Sequence, residues 1–196
     1  MKNLGRAAVL FCMVLAFDSS SSSQVPKVVG LDLGVGGGVA VPLGTFSDTQ
    51  DTGLNFGGKL RISGLLPFRL VGMASYSKLN GKEVSTAIPL VGTLNVVYAD
   101  AKVYQLGVGV EIPVVPAPIV KPYVVGEVSY YNLKFGDNGN SRLGLGAGGG
   151  IEISLGGMLH LDGTVKYQAL NLGGKDANEK TFSQVSATAA LVFKIM

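Results

Sequence analysis

Eight stretches of this chain alternate apolar and polar residues with period two, and nothing between them reads as a helix. The clearest are 142–155 and 185–196. In the second, Val185, Ala187, Ala189, Leu191, Phe193 and Ile195 are apolar, with Ser186, Thr188 and Lys194 between them. Alternate residues of a strand share a face, so the pattern sets one face of each strand against an apolar medium. Eight such strands predict an all-β fold, one antiparallel sheet closed into a barrel, with strands near 29–43, 53–64, 67–80, 99–113, 121–135, 141–155, 158–171 and 182–196. The apolar segment 84–97 reads either as a hairpin above the third and fourth strands or as two further strands, which would make ten.

The decisive question is which face looks inward. The more apolar parity shows Leu33, Val35, Leu54, Phe56, Leu106, Val108, Leu143, Leu145 and the odd residues of the last strand. The other parity shows Asp32, Lys59, Arg61, Arg69, Glu111, Glu127, Arg142, Glu152, His160, Asp162, Lys166 and Lys194, interspersed with glycines such as Gly34, Gly36, Gly146 and Gly148. That is five acids against six bases, His160 aside. Charges enclosed in a barrel must be paired, so near-balance is required inside and would be coincidence outside. Glycine also suits a narrow lumen, where eight strands leave just enough room for side chains. The apolar face is therefore predicted to look outward, to lipid. Only 15% of residues are charged, low for a soluble domain, yet no apolar run beyond the N-terminus is long enough for a spanning helix.

The connections alternate. Those at 64–67 and 155–158 are tight and 114–120 is a seven-residue link, while 44–52, 80–98, 135–141 and 172–181 are longer and polar or glycine-rich. Short turns at one end and long loops at the other are the habit of outer-membrane barrels, with the short turns periplasmic. Tyr76, Tyr98, Tyr130, Tyr131 and Phe135 fall toward the long-loop end, where an interfacial girdle belongs, and Phe68, Tyr123 and Phe193 toward the other. Residues 1–23 read as a secretory signal peptide: Lys2 and Arg6 begin it, 7–17 is apolar, and a serine-rich exit follows. Residues 24–196 would then be the barrel domain. Cys12, the only cysteine, lies within that leader, so the mature chain would hold no disulfide.

Gly36-Gly37-Gly38-Val39-Ala40-Val41-Pro42-Leu43-Gly44-Thr45-Phe46-Ser47-Asp48 resembles the opening strand and first loop of the outer-membrane β-barrel domain family, eight-stranded barrels of the OmpA/OmpX kind. Lys121-Pro122-Tyr123-Val124-Val125-Gly126 resembles that family's entry to its fifth strand. The resemblance covers essentially the whole mature chain and implies a closed antiparallel eight-stranded transmembrane β-barrel in the outer membrane of a Gram-negative bacterium. The chain departs from the pattern in ending Phe193-Lys194-Ile195-Met196, where such barrels usually carry an aromatic residue.

No motif specifies catalysis. His160 and Asp162 share a face and could orient a general base, but no nucleophile is tied to them, so they read as members of the lumenal network. The glycine runs 34–38 and 146–150 lack the helix that a phosphate loop requires. Asp48–Asp51 and Asp137–Asn140 carry oxygen ligands of the kind Ca²⁺ takes, without an EF-hand pattern. Lys78, Lys82, Lys102, Lys134 and Lys175 gather near the long-loop end, as contacts to lipopolysaccharide phosphates or as a solvated rim. A dispersed charge of +3 does not suggest nucleic acid.

The sequence thus predicts a monomeric structural or interaction barrel, with no enzymatic activity, no cofactor and no metal, in contact with outer-membrane lipid. Its lumen is plugged by paired charges and its loops face the envelope or a partner. The competing readings are a small pore, a lipid-modifying barrel enzyme working through His160, and a soluble lipocalin-like barrel with the apolar face inward.

Overall fold

The computed structural model describes residues 29–64, 66–88, 92–115, 119–136, 138–174 and 179–195. The expected leader and Lys175 therefore lie outside the described residues.

Among the described residues ten strands form in chain order: β1 (Gly30–Leu43), β2 (Gln50–Ser63), β3 (Arg69–Gly81), β4 (Glu83–Ile88), β5 (Gly92–Val97), β6 (Ala101–Pro113), β7 (Val120–Phe135), β8 (Asn138–Gly156), β9 (Leu159–Gly173) and β10 (Ser183–Lys194). Eight of them close a barrel in the order β1-β10-β9-β8-β7-β6-β3-β2, every neighbouring pair antiparallel. Strands β4 and β5 pair only with each other, as a hairpin outside the barrel wall. The ten-stranded alternative is thereby corrected. Their alternation is real, but the barrel already closes when β6 pairs along β3.

Closure satisfies the backbone groups of every barrel strand without leaving an edge, the condition for crossing a bilayer with strands. No described helix is long and apolar enough to cross a membrane. The barrel strands run from 12 to 19 residues, more than the ~9–11 that a tilted membrane strand needs. β7 stays paired with β6 as far as Phe135, while β8 runs past its last pair with β9 at Leu143 and forms a hairpin in which Phe135 pairs with Asn138. The long loop expected at 135–141 is thus a tight turn, entered by Gly136 with φ of 58°. Gly156 (φ 109°) and Gly157 (φ 57°) likewise permit the sharp reversal from β8 into β9.

Burial is inverted relative to a soluble protein. Leu106 and Val108 are each 68% exposed, whereas Arg61 is 1% exposed and is the largest fully buried side chain. The outward face repeats down the predicted parity: Leu33, Val35, Leu54, Phe56, Val128, Leu143, Leu145, Leu191 and Phe193 are all exposed. This overturns the lipocalin-like alternative, because an aqueous exterior would strand that apolar belt in water.

Candidate functional site

The lumen is filled in three layers. The first lies toward the short turns and is built around Arg61 of β2. Its Nη1 donates to Glu152 Oε2 of β8 at 2.8 Å, and its Nη2 donates to Glu111 Oε1 of β6 at 3.0 Å and to Asp162 Oδ2 of β9 at 2.9 Å. Lys59 pairs with Asp162 and sits 3.6 Å from Glu111; Arg69 pairs with Glu152. Three cations thus face three carboxylates, with Arg61, Glu111 and Asp162 fully enclosed and Lys59, Arg69 and Glu152 at the margin of the cluster. Such a cluster is tolerable only when each charge is met and its hydrogen-bonding capacity used.

Tyr123 of β7 threads this layer. Its hydroxyl donates to Asp162 at 2.9 Å and shares a 2.6 Å hydrogen bond with Thr164 Oγ1, while Lys59, Arg61 and Arg69 stand 5.6, 5.6 and 5.5 Å from its ring centroid. A quadrupole with cations around it adds attraction where water is excluded. The ring fits because its cross-strand partner is Gly150, where any Cβ would collide with the hydroxyl.

The second layer surrounds Glu127 of β7. Its Oε2 accepts from Lys166 Nζ at 2.7 Å, and its Oε1 accepts from Gln105 at 2.8 Å, Gln168 at 2.9 Å and Tyr131 at 3.2 Å. Gln184 extends the chain to Gln168 at 2.9 Å. A Cβ at Gly146, opposite Glu127, would come within 2.6 Å of its Oε1. Between the two layers is a cavity of about 80 Å³, lined among others by Lys59, Lys166, Gln105, Gln168 and Met73. Its walls are mostly apolar, with the Lys59, Lys166, Gln105 and Gln168 side chains supplying polar groups that could hold a water.

The third layer is apolar and closes the long-loop end. Phe46, on the short 3₁₀ turn Gly44–Phe46 after β1, is fully buried against Phe182 (ring centroids 5.3 Å apart) and edge-on to Phe135 (6.3 Å). Ala40, Leu79, Ala101, Val103, Tyr131, Leu133 and Leu170 pack beneath it.

Most of the predicted lumenal residues therefore meet, but not as one network. Lys59, Arg61, Arg69, Glu111, Glu152 and Asp162 form the first layer, and Glu127 with Lys166 the second. His160 Nδ1 lies 3.5 Å from Glu152, while Asp162 is engaged by Lys59, Arg61 and Tyr123, so the two are not arranged as a dyad. Asp32 lines the open mouth at the short-turn end, together with Lys121, Glu152, His160 and Lys194. Arg142 is elsewhere: it lies 3.6 Å from Glu179 at the long-loop end.

Three aromatic assignments are corrected. Tyr123, Tyr131 and Phe135 point into the lumen rather than into a girdle, because they share the parity of Glu127. That parity was the available signal. The outward girdle contains Tyr104, Tyr130 and Tyr167, each about half exposed, with the Tyr76 ring tilted against Tyr104 at a centroid distance of 5.1 Å. Within the first oxygen-rich segment, Gln50 turns inward and holds the backbone at the entry to β6, at Ala99 O (3.1 Å) and Ala101 N (3.0 Å), while Asp51 pairs with Lys82 at 3.4 Å. Asp137 lies outside the described residues. The glycine runs are interior to β1 and β8.

A closed barrel with a charged, filled interior and a continuous apolar exterior is a membrane-spanning β-barrel. The sequence profile of the outer membrane protein beta-barrel domain matches residues 5–193, and the chain belongs to that family. Among solved structures it is similar to Neisserial surface protein A, with 15% identity over 83% of this chain and 96% of that one and a TM-score of 0.56. It is also similar to Ail of Yersinia pestis (13% identity, 84% and 97% covered, TM-score 0.47) and to the N-terminal barrel domain of Pseudomonas aeruginosa OprF (12%, 84% and 97%, 0.46). No curated protein matches the sequence significantly. The family places the protein in the outer membrane.

Proposed function

We propose that this protein is a structural or interaction barrel of the outer membrane, without enzymatic activity, whose lumen is sealed against ion flow and whose loops make its contacts. One observation carries the reading: Arg61 spans the lumen from β2 and holds carboxylates on β6, β8 and β9 at once. An ion crossing would have to break that cluster and leave buried charges unmatched. The aromatic layer around Phe46 supplies a second, independent barrier. His160 Nδ1 lies 3.5 Å from a carboxylate that already serves Arg61 and Arg69, which favours a place in the network over a general base. The basic and apolar composition of 1–23 supports export through a cleaved leader, and the barrel is read as a monomer.

The test is planar-bilayer recording of the purified, folded protein. Baseline current is expected, both for the wild type and for Phe46→Ala. A steady nanosiemens-scale conductance in the wild type would replace this reading with that of a small pore. For the enzyme alternative, a His160→Ala strain should show unaltered lipid A chemistry, and an altered pattern would overturn the non-enzymatic reading.

A further inference from the structure

Three outward lysines occupy one row of the barrel wall. In the ladder Lys78 of β3 is paired with Lys102 of β6, and Lys102 is paired with Lys134 of β7. All three side chains are exposed. The row continues onto β8 as Gly139, which adds no side chain beside Lys134. One pair of residues nearer the membrane midplane, Tyr76 and Tyr104 stand opposite each other on β3 and β6, and Tyr130 faces outward on β7. Below them the face turns aliphatic, with Leu106, Val108 and Val128. The lysines therefore sit immediately outside the tyrosine girdle, at the height of lipid headgroups.

Like charges directly opposite one another on neighbouring strands are destabilising. Neighbouring strands are about 4.8 Å apart, so the row puts three ammonium groups along about 10 Å of wall. Among the described residues, the only carboxylate paired with the row is Asp100, 3.0 Å from Lys78 on its loop side. Lys134 is directed back over the Tyr104 ring at 5.4 Å, so its side chain lies along the wall instead of standing off into solvent. Lys82 is not part of this row. It donates to Ser47 O at 2.7 Å and ties the base of the β4–β5 hairpin to the first loop.

We infer that the Lys78–Lys102–Lys134 row is a binding site for phosphoryl groups of an anionic outer-leaflet glycolipid, the lipid A type, whose acyl chains lie along the aliphatic face below the tyrosines. Phosphates between the lysines relieve their mutual repulsion, and the tyrosines mark the depth at which sugar and acyl chain meet. Clustered lysines at a membrane surface gain from anionic lipid in this way. The inference rests on the lipid-facing orientation but not on the sealed lumen, so a conducting wild-type barrel would overturn the function proposed above and leave this site untouched.

The experiment uses the full barrel in phosphatidylcholine nanodiscs, exposed to bis-phosphorylated lipid A, to its dephosphorylated form or to inorganic phosphate, with retained lipid counted by native mass spectrometry. Bis-phosphorylated lipid A should be retained and the dephosphorylated form lost. The triple variant Lys78→Gln/Lys102→Gln/Lys134→Gln should bind about tenfold or more weakly, with Lys82→Gln unchanged. Folding of each variant is read from its heat-dependent gel shift. Equal retention by a folded triple variant, or equal retention of dephosphorylated lipid A, overturns the site. Displacement of the lipid by millimolar inorganic phosphate alone overturns the lipid assignment in favour of a free-phosphate site.

Discussion

Arg61 and Glu152 project from β2 and β8, four places apart around a ring of eight strands, and their side chains meet at 2.8 Å. Opposite walls of the barrel are thus joined through the lumen by one charge-assisted hydrogen bond. Removing the guanidinium in Arg61→Ala leaves Glu111, Glu152 and Asp162 crowded in a site with little solvent. Breaking a buried pair from one side costs about 3–5 kcal/mol. The folded band on unheated gels should convert at a lower urea concentration or temperature than in the wild type. Unchanged resistance would mean that the cluster does not hold the walls together.

Glycine positions give a more selective probe. Gly150→Ala places a methyl group against the Tyr123 hydroxyl, which is held from the other side by Asp162 and Thr164. Overpacking of this kind costs about 1–3 kcal/mol. Tyr123→Ala removes both the clash and the hydrogen bonds, so the two substitutions should be strongly non-additive: Gly150→Ala should cost less in the Tyr123→Ala background than in the wild type. A double-mutant cycle by urea titration checks this. Additive costs would place the tyrosine elsewhere.

These residues also mark how far the sequence could be read. Period-two alternation was enough for the barrel, for its outward apolar face and for the inward position of Arg61, Glu127 and Asp162, because parity alone decides the face of a strand. It did not say which inward residues share a height. That depends on cross-strand register, so Arg142 entered the same set as Arg61 although it stands at the opposite end beside Glu179. Aromatic residues near strand ends suggest a girdle, yet Tyr123 and Tyr131 each lie four residues from Glu127 and eight from one another, a spacing that puts all three inside. Phe46 was invisible for another reason. It lies in a loop, where no period applies, and only its packing on Phe135 and Phe182 reveals its role.

Phe46 should matter to the loop more than to the barrel. Phe46→Ala empties a fully buried ring site at the long-loop end, a change costing about 3–5 kcal/mol where the surroundings cannot collapse. Because the charge layers below it are anchored on strand residues, the β1–β2 loop should open while the wall stays folded. Limited proteolysis should cut near 44–49 faster than in the wild type, and the heat-dependent gel shift should persist. Loss of the folded band itself would show that the aromatic layer is needed to close the barrel.

The last prediction concerns pH at the rim. The Asp100 carboxylate accepts from the Gly81 backbone N–H at 3.1 Å and pairs with Lys78, and these contacts hold its pKa below the ordinary aspartate value. A carboxyl group whose folded pKa is depressed contributes its interaction above the unfolded pKa and loses it as pH falls through the folded one. The Lys78–Asp100 pair should therefore persist through the neutral and mildly acidic range and open only below the usual carboxylate pKa. The side chain is exposed, so this is a change of local pairing rather than of fold. Carboxyl-detected NMR titration of Asp100 should show a midpoint below that of a model aspartate, moving upward in Lys78→Gln while the Gly81 contact still holds it partly down. An unshifted midpoint in the wild type would mean that Lys78 and Gly81 do not hold this carboxylate, and that the row's first lysine is as open as the other two.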